Sequence, residues 1–420
     1  MSTPRCALLT VLALYVGVSA CVEPARSADT PRGETPPPGA AVRANADAQR
    51  SAHSDPAAAE HTSVHVPEAT DPAQPAATEG ADPSANLGAT QGEGDASRQP
   101  VAELDTFMGD TPDGPLRDAL LREGIQKVER GRGGRSLGFK ITLTSGKRAY
   151  FKPEQTFSAA NWFGEVAAYH LDRMLGLGRV PLVVSREFPW TQLVEAAGKD
   201  ARKPELIMKD GKLRGAFVAW VTGELVPLKQ EPGWERWVRV RFWPSTAVSP
   251  FQRPAVWKRQ LDLARKLGDN WRSKEERFRR RNQHPEPDRS DRPAELSDLI
   301  VFDYLTRNLD RWGGDNANVL VRGRGGPLVF LDNGAGFEPG EPRPSLMEGR
   351  LHALQRFRRS TIAAVRALDI ERFKQRLAQE PVQPVLGSGQ IEGLASRRLA
   401  LLEWVAEMEK VHGEAIWAWE

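Results

Sequence analysis

Between Leu299 and Phe337 the chain reads LIVFDYLTRNLDRWGGDNANVLVRGRGGPLVFLDNGAGF, and three oxygen-bearing side chains in it, Asp310, Asn318 and Asp332, stand at spacings that chemistry can use. The apolar run Leu299 to Leu305 predicts a helix that delivers the loop Asn308-Leu309-Asp310-Arg311. Two short apolar runs, Asn318 to Arg322 and Leu328 to Leu331, with Gly323, Gly325 and Gly326 between them, predict a hairpin. Asp332-Asn333-Gly334 leaves its far end, and Gly334 permits the close turn of a metal-binding loop. A β-ribbon of this kind is a rigid spacer that returns its two ends, and so all three side chains, to one face. Phosphoryl transfer asks for such a set: a carboxylate to take the proton of an attacking hydroxyl, and hard oxygen donors for the divalent ions that hold the phosphates. Asp310 fits the base, Asn318 the ligand at the head of the hairpin, and Asp332 the metal-binding aspartate. Singly, an Asp beside Gly is most often a turn residue; the combination is what points to catalysis.

The elements that must position these groups follow from periodicity. A helix is predicted over Pro115–Val128, ending at Gly131, Gly133 and Gly134. Strands are predicted over Gly138–Leu143 and Arg148–Phe151, joined by Thr144-Ser145-Gly146. A helix over Ala159–Leu175 carries Trp162, Val166, Tyr169, Leu171 and Met174 as an apolar face, and a strand pair near Arg179–Arg186 and Ala216–Val221 completes a small lobe. Beyond it the pattern is mainly helical: Pro254–Leu267, Pro293–Asn308, Leu346–Leu368, Ile370–Gln379 and Gln390–Glu409, with the single hairpin between. The fold class expected is α+β, with a sheet-containing N-lobe at about 115–221 and a helical C-lobe at about 222–420, the layout of protein-kinase-like folds. The basic stretch Arg272–Arg281 reads first as a solvated helix face.

The strings FDYLTRNLDR and LVFLDNGAGF resemble the corresponding segments of the Four-jointed kinases of the secretory pathway, and more distantly those of the secretory casein kinases, whose metal loop also reads Asp-Asn-Gly. GEVAAYHLDR, from Gly164 to Arg173, followed by LGLGRVP, is similar to their first-lobe helix, and the likeness covers about 130–410. The resemblance implies an atypical kinase that transfers the γ-phosphate of ATP, with Mn²⁺ or Mg²⁺, to Ser or Thr of a protein, or in one branch to a sugar. It implies that Lys152, in Tyr150-Phe151-Lys152-Pro153, contacts the ATP phosphates, and that Glu165 pairs with that lysine or reaches the metal. Gly131, Gly133 and Gly134 are then candidates for a phosphate-covering loop, and the backbone around Ala219–Val221 for the hinge that meets adenine. Asp172 and Arg173 read as structural, and Arg356, Arg358 and Arg359 as either scaffold or phosphate-facing. This chain departs from the pattern in WGGDNAN, which is longer than the usual spacing and leaves Asp315 and Asn316 beside Asn318 as candidate ligands. It also lacks the cysteines that brace the eukaryotic members, and export would place it where ATP is scarce.

The remainder of the chain concerns place rather than chemistry. Residues 1–21 combine Arg5, an apolar run from Ala7 to Val18, and small residues. That run falls short of the ~20 residues a spanning helix needs, so it reads as an export signal. Val18-Ser19-Ala20-Cys21 resembles the bacterial lipobox, which makes Cys21 an expected lipid anchor to a membrane. Cys6, the other cysteine, falls in the segment that would be removed, so no disulfide is expected. Residues 22–104 are rich in Pro, Ala and small polar residues and bury too little to order themselves, which predicts a flexible spacer ahead of a domain at 105–420. A net charge of +3 gives no electrostatic basis for binding nucleic acid, and a monomer is expected.

Overall fold

Phe139, Ile141 and Leu143 alternate with Lys140 and Thr142, and Gly146 supplies the left-handed residue of a tight turn at φ +82°. This hairpin is the centre of the smaller lobe. The computed structural model describes residues 105–420 except 111, 133, 158, 229–232, 242–248, 252–283, 313–317 and 339–343. The predicted signal with Cys21, the spacer, the helix over Pro254–Leu267 and the basic stretch Arg272–Arg281 lie outside the described residues.

Helix α1 (Asp113–Arg122) precedes strands β1 (Ile125–Arg130), β2 (Phe139–Leu143) and β3 (Arg148–Pro153). Helix α2 (Trp162–Met174) then leads to β4 (Val183–Pro189), the short helix α3 (Val194–Ala197), β5 (Met208–Lys209) and β6 (Lys212–Ala219). The strands form one antiparallel sheet in the order β1-β2-β3-β6-β4, with β5 on β6. The predicted first helix is therefore too long. It stops at Arg122, where Glu123 turns extended, and Ile125–Arg130 pairs with β2 as an edge strand. Val128 sits three residues from Ile125, a helical spacing that misleads at an edge where only those two side chains turn inward. Phe151, Phe188 and Phe217 meet edge to face over the sheet at centroid distances of 4.8 to 6.4 Å.

Strand β7 (Leu225–Pro227) follows directly, and α4 (Arg292–Thr306) begins the helical lobe. Strands β8 (Leu320–Arg322) and β9 (Leu328–Val329) are the predicted hairpin, with β7 added on its outer side. Four helices follow: α5 (Pro344–His352), α6 (Arg359–Ala367), α7 (Ile370–Ala378) and α8 (Ser388–His412). The helix predicted over Leu346–Leu368 is broken, because Phe357–Arg358 is a strand, β10, that pairs in parallel with β11 (Trp417–Trp419) at the C-terminus. Arg356 thus lies in a loop, while Arg358 and Arg359 are engaged with Asp298 and Glu414, a scaffold role. Asp172 and Arg173 are buried structural partners as expected: Asp172 Oδ1 accepts from the Arg179 and Val180 amides at 2.8 and 3.1 Å, and Arg173 Nε donates to Asp113 at 2.7 Å. Among the described residues no helix is long and apolar enough to cross a membrane.

Candidate active site

Lys152, next to the last residue of β3, lies opposite Ala216 of β6, which carries the ammonium to the end of an interior strand. There Lys152 Nζ meets Glu165 Oε1 of α2 at 2.5 Å and Asp332 Oδ1, from the loop after β9, at 2.8 Å. Glu165 is 1% exposed in its side chain and Asp332 29%, so the pair of carboxylates has one dry and one wet member. Burial works against the Lys152 charge, but Asp332 and Glu165 outweigh it and hold the ammonium well above the ordinary lysine range. Lys152 is therefore a fixed cation at neutral pH.

The loop Asp332-Asn333-Gly334 is tied to α2 by more than this charge. Asn333 N–H donates to Glu165 Oε1 at 3.0 Å, and Asn161 N–H to Gly334 O at 2.9 Å. Asp332 itself is left-handed, with φ +63°, a conformation that costs a non-glycine residue energy and that these contacts maintain. Gly164 makes the approach achievable: a Cβ there would lie 2.7 Å from Asn333 O and 2.8 Å from Gly336 O.

Asp310 comes from the loop after α4. The helix is closed by Arg307 in the left-handed region (φ +57°), and the Asn308 amide returns to Asp303 O at 2.9 Å. Asn308, fully buried, then links both loops: its Oδ1 accepts from Asp310 N–H at 3.2 Å and its Nδ2 donates to Asp332 O at 3.2 Å. Asn318 Nδ2 donates to Asp310 O at 3.4 Å, which makes Oδ1 the candidate metal-ligating atom of that side chain. Trp312 stacks on Trp234 at 5.6 Å and fixes the end of the loop. The sequence brought out Asp310, Asn318 and Asp332 but missed Asn308 and Arg311, the two residues that connect them. A usable signal was present in Asn308, an Asx residue two positions ahead of the amide it caps. Asp315 and Asn316 lie outside the described residues.

The nucleotide-side candidates fare differently. Gly131 N–H is taken up by Gly138 O at 2.8 Å, and a Cβ at Gly131 would fall 2.1 Å from Tyr150 Oη. Its glycine is thus required by the tyrosine beneath it, not by an amide presented to phosphate. Gly134 is left-handed (φ +79°), and its carbonyl receives Arg202 Nη1 at 3.0 Å; Gly133 is outside the described residues. Ala219 N–H donates to Leu182 O at 2.8 Å and Trp220 N–H to Arg148 O at 3.0 Å, so the amide of Ala219 is engaged by the sheet. Val221 is buried just past the strand that leads to β7.

Among the described residues no group of three or more His, Cys, Asp or Glu side chains is placed to hold a metal ion. The donor set still suits Mn²⁺ or Mg²⁺. It consists of two carboxylates and an amide oxygen, and such ions are commonly held by one or two carboxylates with substrate phosphates completing the shell. With Lys152 beside them, Glu165 and Asp332 retain a net negative charge to attract the ion.

No protein-family model matches the chain. It is 24% identical over 328 residues to human extracellular serine/threonine protein kinase FAM20C, covering 71% of this chain and 55% of the relative. It is 25% identical to glycosaminoglycan xylosylkinase of Danio rerio, covering 76% and 81%. Against human Four-jointed box protein 1 it is 30% identical over 243 residues, covering 51% and 44%. The matched region thus spans 55% of FAM20C and 44% of the Four-jointed protein. Among solved structures, hydra Fam20 with sugar superposes with a TM-score of 0.50 at 21% identity, over 71% of this chain and 89% of that one. The Golgi casein kinase with Mn/ADP bound gives 0.51 at 18%, over 72% and 77%. The chain is a homologue of FAM20C, glycosaminoglycan xylosylkinase and Four-jointed box protein 1, and it carries the two-lobed kinase-like fold of the Fam20 structures.

Proposed function

We propose that the protein is an ATP-dependent phosphotransferase that moves the γ-phosphate of ATP to a hydroxyl, a protein Ser or Thr. The observation that carries this is the Lys152–Glu165–Asp332 cluster, assembled from a strand, a helix and a loop as far apart as 180 residues in sequence. Lys152 offers a permanent ammonium for phosphate oxygens. Asp332, with Asn318 and Glu165, would hold a divalent ion, which supplies neutralisation of the phosphate charge. Asp310, steadied through Asn308, accepts the proton of the attacking hydroxyl. Catalysis of this kind is positioning and electrostatics with no covalent intermediate. A glycan hydroxyl is the second acceptor class, favoured by the match to glycosaminoglycan xylosylkinase over 81% of its length.

The test is transfer of labelled γ-phosphate with Mn²⁺ or Mg²⁺ to a panel of protein and glycan acceptors. Asp310→Asn and Asp332→Asn should each abolish it, and unchanged transfer by Asp310→Asn would reject the base assignment. The proposal extends to the N-terminal part. Cys21 carries a lipid anchor, residues 22–104 space a monomeric catalytic domain from the membrane, and the site faces away from the cytoplasm. Mass spectrometry of the N-terminal peptide should find the acyl groups on Cys21, and Cys21→Ala should release the protein from the membrane fraction.

A further inference from the structure

Asp303, in the last turn of α4, is 1% exposed and has no part in the chemistry above. Its Oδ1 accepts from Arg311 Nε at 3.2 Å. Arg311, fully buried, then forks: Nη1 donates to Leu331 O, and Nη2 to Asn333 Oδ1 at 2.6 Å. Leu331 and Asn333 are the two neighbours of Asp332, and Arg311 itself follows Asp310. From α5, Arg350 donates to Leu309 O at 3.3 Å and Pro250 O at 3.0 Å, and its charge acts on Asp303 together with that of Arg311. The Trp312 indole also acts on this carboxyl, in the same direction as the two arginines. Other cations that reach α4 are engaged elsewhere, Arg358 of β10 with Asp298 and Arg397 of α8 with Leu305 O. One buried carboxylate thus faces two guanidinium groups that hold the residue before Asp310 and both residues flanking Asp332.

We propose that Asp303 is a proton-responsive positioning residue: ionised, it keeps Arg311 on the two sides of Asp332 and the loops of Asp310 and Asp332 in register, and protonated, it lets Arg311 go. The inference rests on the phosphotransferase assignment and adds an acid-side control of that site. An uncharged acid holds a guanidinium less firmly than a carboxylate does, since protonation removes the attraction between two opposite charges in a buried, low-dielectric site. Burial pushes Asp303 up to about 6 against the pull of Arg311 and Arg350, so protonation sets in just below neutrality. For this group the neutral form is the one the fold favours. Its contribution to stability rises as pH falls from about 6 toward 3.8, so activity falls while the fold holds.

The experiment measures kcat, KM for ATP and Mn²⁺–ADP affinity from pH 8 to 5 for the whole protein and for Asp303→Asn, Asp303→Glu and Arg311→Lys, with melting curves at each pH. In the wild type kcat should fall reversibly below about pH 6. Asp303→Asn should have a kcat about tenfold lower at pH 7.5, with little change from there to pH 5, a KM for ATP within about threefold, and an unreduced melting temperature. Asp303→Glu should restore part of the acid limb. A wild-type kcat and acid limb in Asp303→Asn overturns the assignment, as does a wild-type profile flat to pH 5. Where Asp303→Asn fails to fold, Arg311→Lys should show the same flattening, and a wild-type acid limb in that variant overturns the assignment. If the wild type transfers no phosphate at all, the phosphotransferase assignment is what fails. Mn²⁺–ADP affinity then decides the role of Asp303: it should weaken below about pH 6 in the wild type and not in Asp303→Asn, and any other pattern overturns it.

Discussion

Glu380, just past α7, is a C-lobe carboxylate set into the N-lobe. It accepts from Arg117 Nη2 at 2.7 Å, from the Ser185 amide at 2.6 Å and pairs with His170 Nε2 at 2.9 Å, so it fastens α1, β4 and the helix that bears Glu165 to the C-lobe. Replacing it by Gln keeps the shape, removes the charge and turns an NH₂ toward one of three donors. Burial by itself would raise its pKa, yet the partners outweigh burial and hold it at about 2, against an ordinary 4.5. Full conversion at about 1.4 kcal/mol per tenfold change in proton affinity gives about 3 kcal/mol. Burial keeps His170 below its ordinary value and hence neutral at pH 7.5, so its share is a hydrogen bond and not an ion pair. We expect Glu380→Gln to cost about 2 to 3 kcal/mol at pH 7.5. Because the folded value is depressed, the advantage of the wild type is complete above 4.5 and is lost as pH falls toward 2; at pH 3.5 it should have shrunk by roughly half. Urea denaturation of both proteins at pH 7.5, 5 and 3.5 measures this. A difference below about 1 kcal/mol at pH 7.5, or one that stays constant down to pH 3.5, refutes the reasoning.

Three further outcomes are expected. Gly164→Ala must push α2 off the Asn333 and Gly336 carbonyls, so it should lose about 1 to 3 kcal/mol in urea denaturation and most of its Mn²⁺–ADP affinity in calorimetry. Lys152→Met leaves Glu165 and Asp332 facing each other; without metal it should be about 2 kcal/mol less stable, and Mn²⁺ should raise its melting temperature more than that of the wild type. His170 is held below its ordinary 6.5, so its contribution to stability is present above 6.5 and is lost as pH falls; His170→Gln should flatten the stability profile between pH 7 and 5.

What the sequence disclosed is local, and the reason is physical. The β2–β3 hairpin, α2 and the β8–β9 ribbon each announce themselves through a period and a glycine turn within about twenty residues, and the ribbon by itself sets the candidates Asn318 and Asp332 just outside its two ends. Pairings between distant segments leave no such period. Strand β7 is three residues long and pairs with β8 from Leu225↔Arg322 to Pro227↔Leu320, far along the chain, while β10 and β11 are two and three residues long. Nothing in Glu380 marks it as the partner of His170, 210 positions earlier. Gly131 shows the opposite failure, a residue whose type was noticed and whose reason was not, because Tyr150 fills its space from another strand.

Arg311 is the instructive omission. Beside a candidate base in a polar loop, an arginine reads as a solvated charge, since the residue type is almost never fully buried without partners. Here it is fully buried and its partners come from both sides: Asp303 in the helix before it, and Leu331 O and Asn333, 20 and 22 positions on, in the loop beyond the ribbon. While Asp303 is ionised, a buried guanidinium with three such acceptors cannot move without stranding charge, so the separation of the Asp310 and Asp332 loops is set by a residue that is not itself a candidate base or metal ligand. Chemistry-bearing residues are readable by their types, whereas the groups that fix their spacing are readable only once the ribbon has folded back and shown which carbonyls lie within the reach of one side chain.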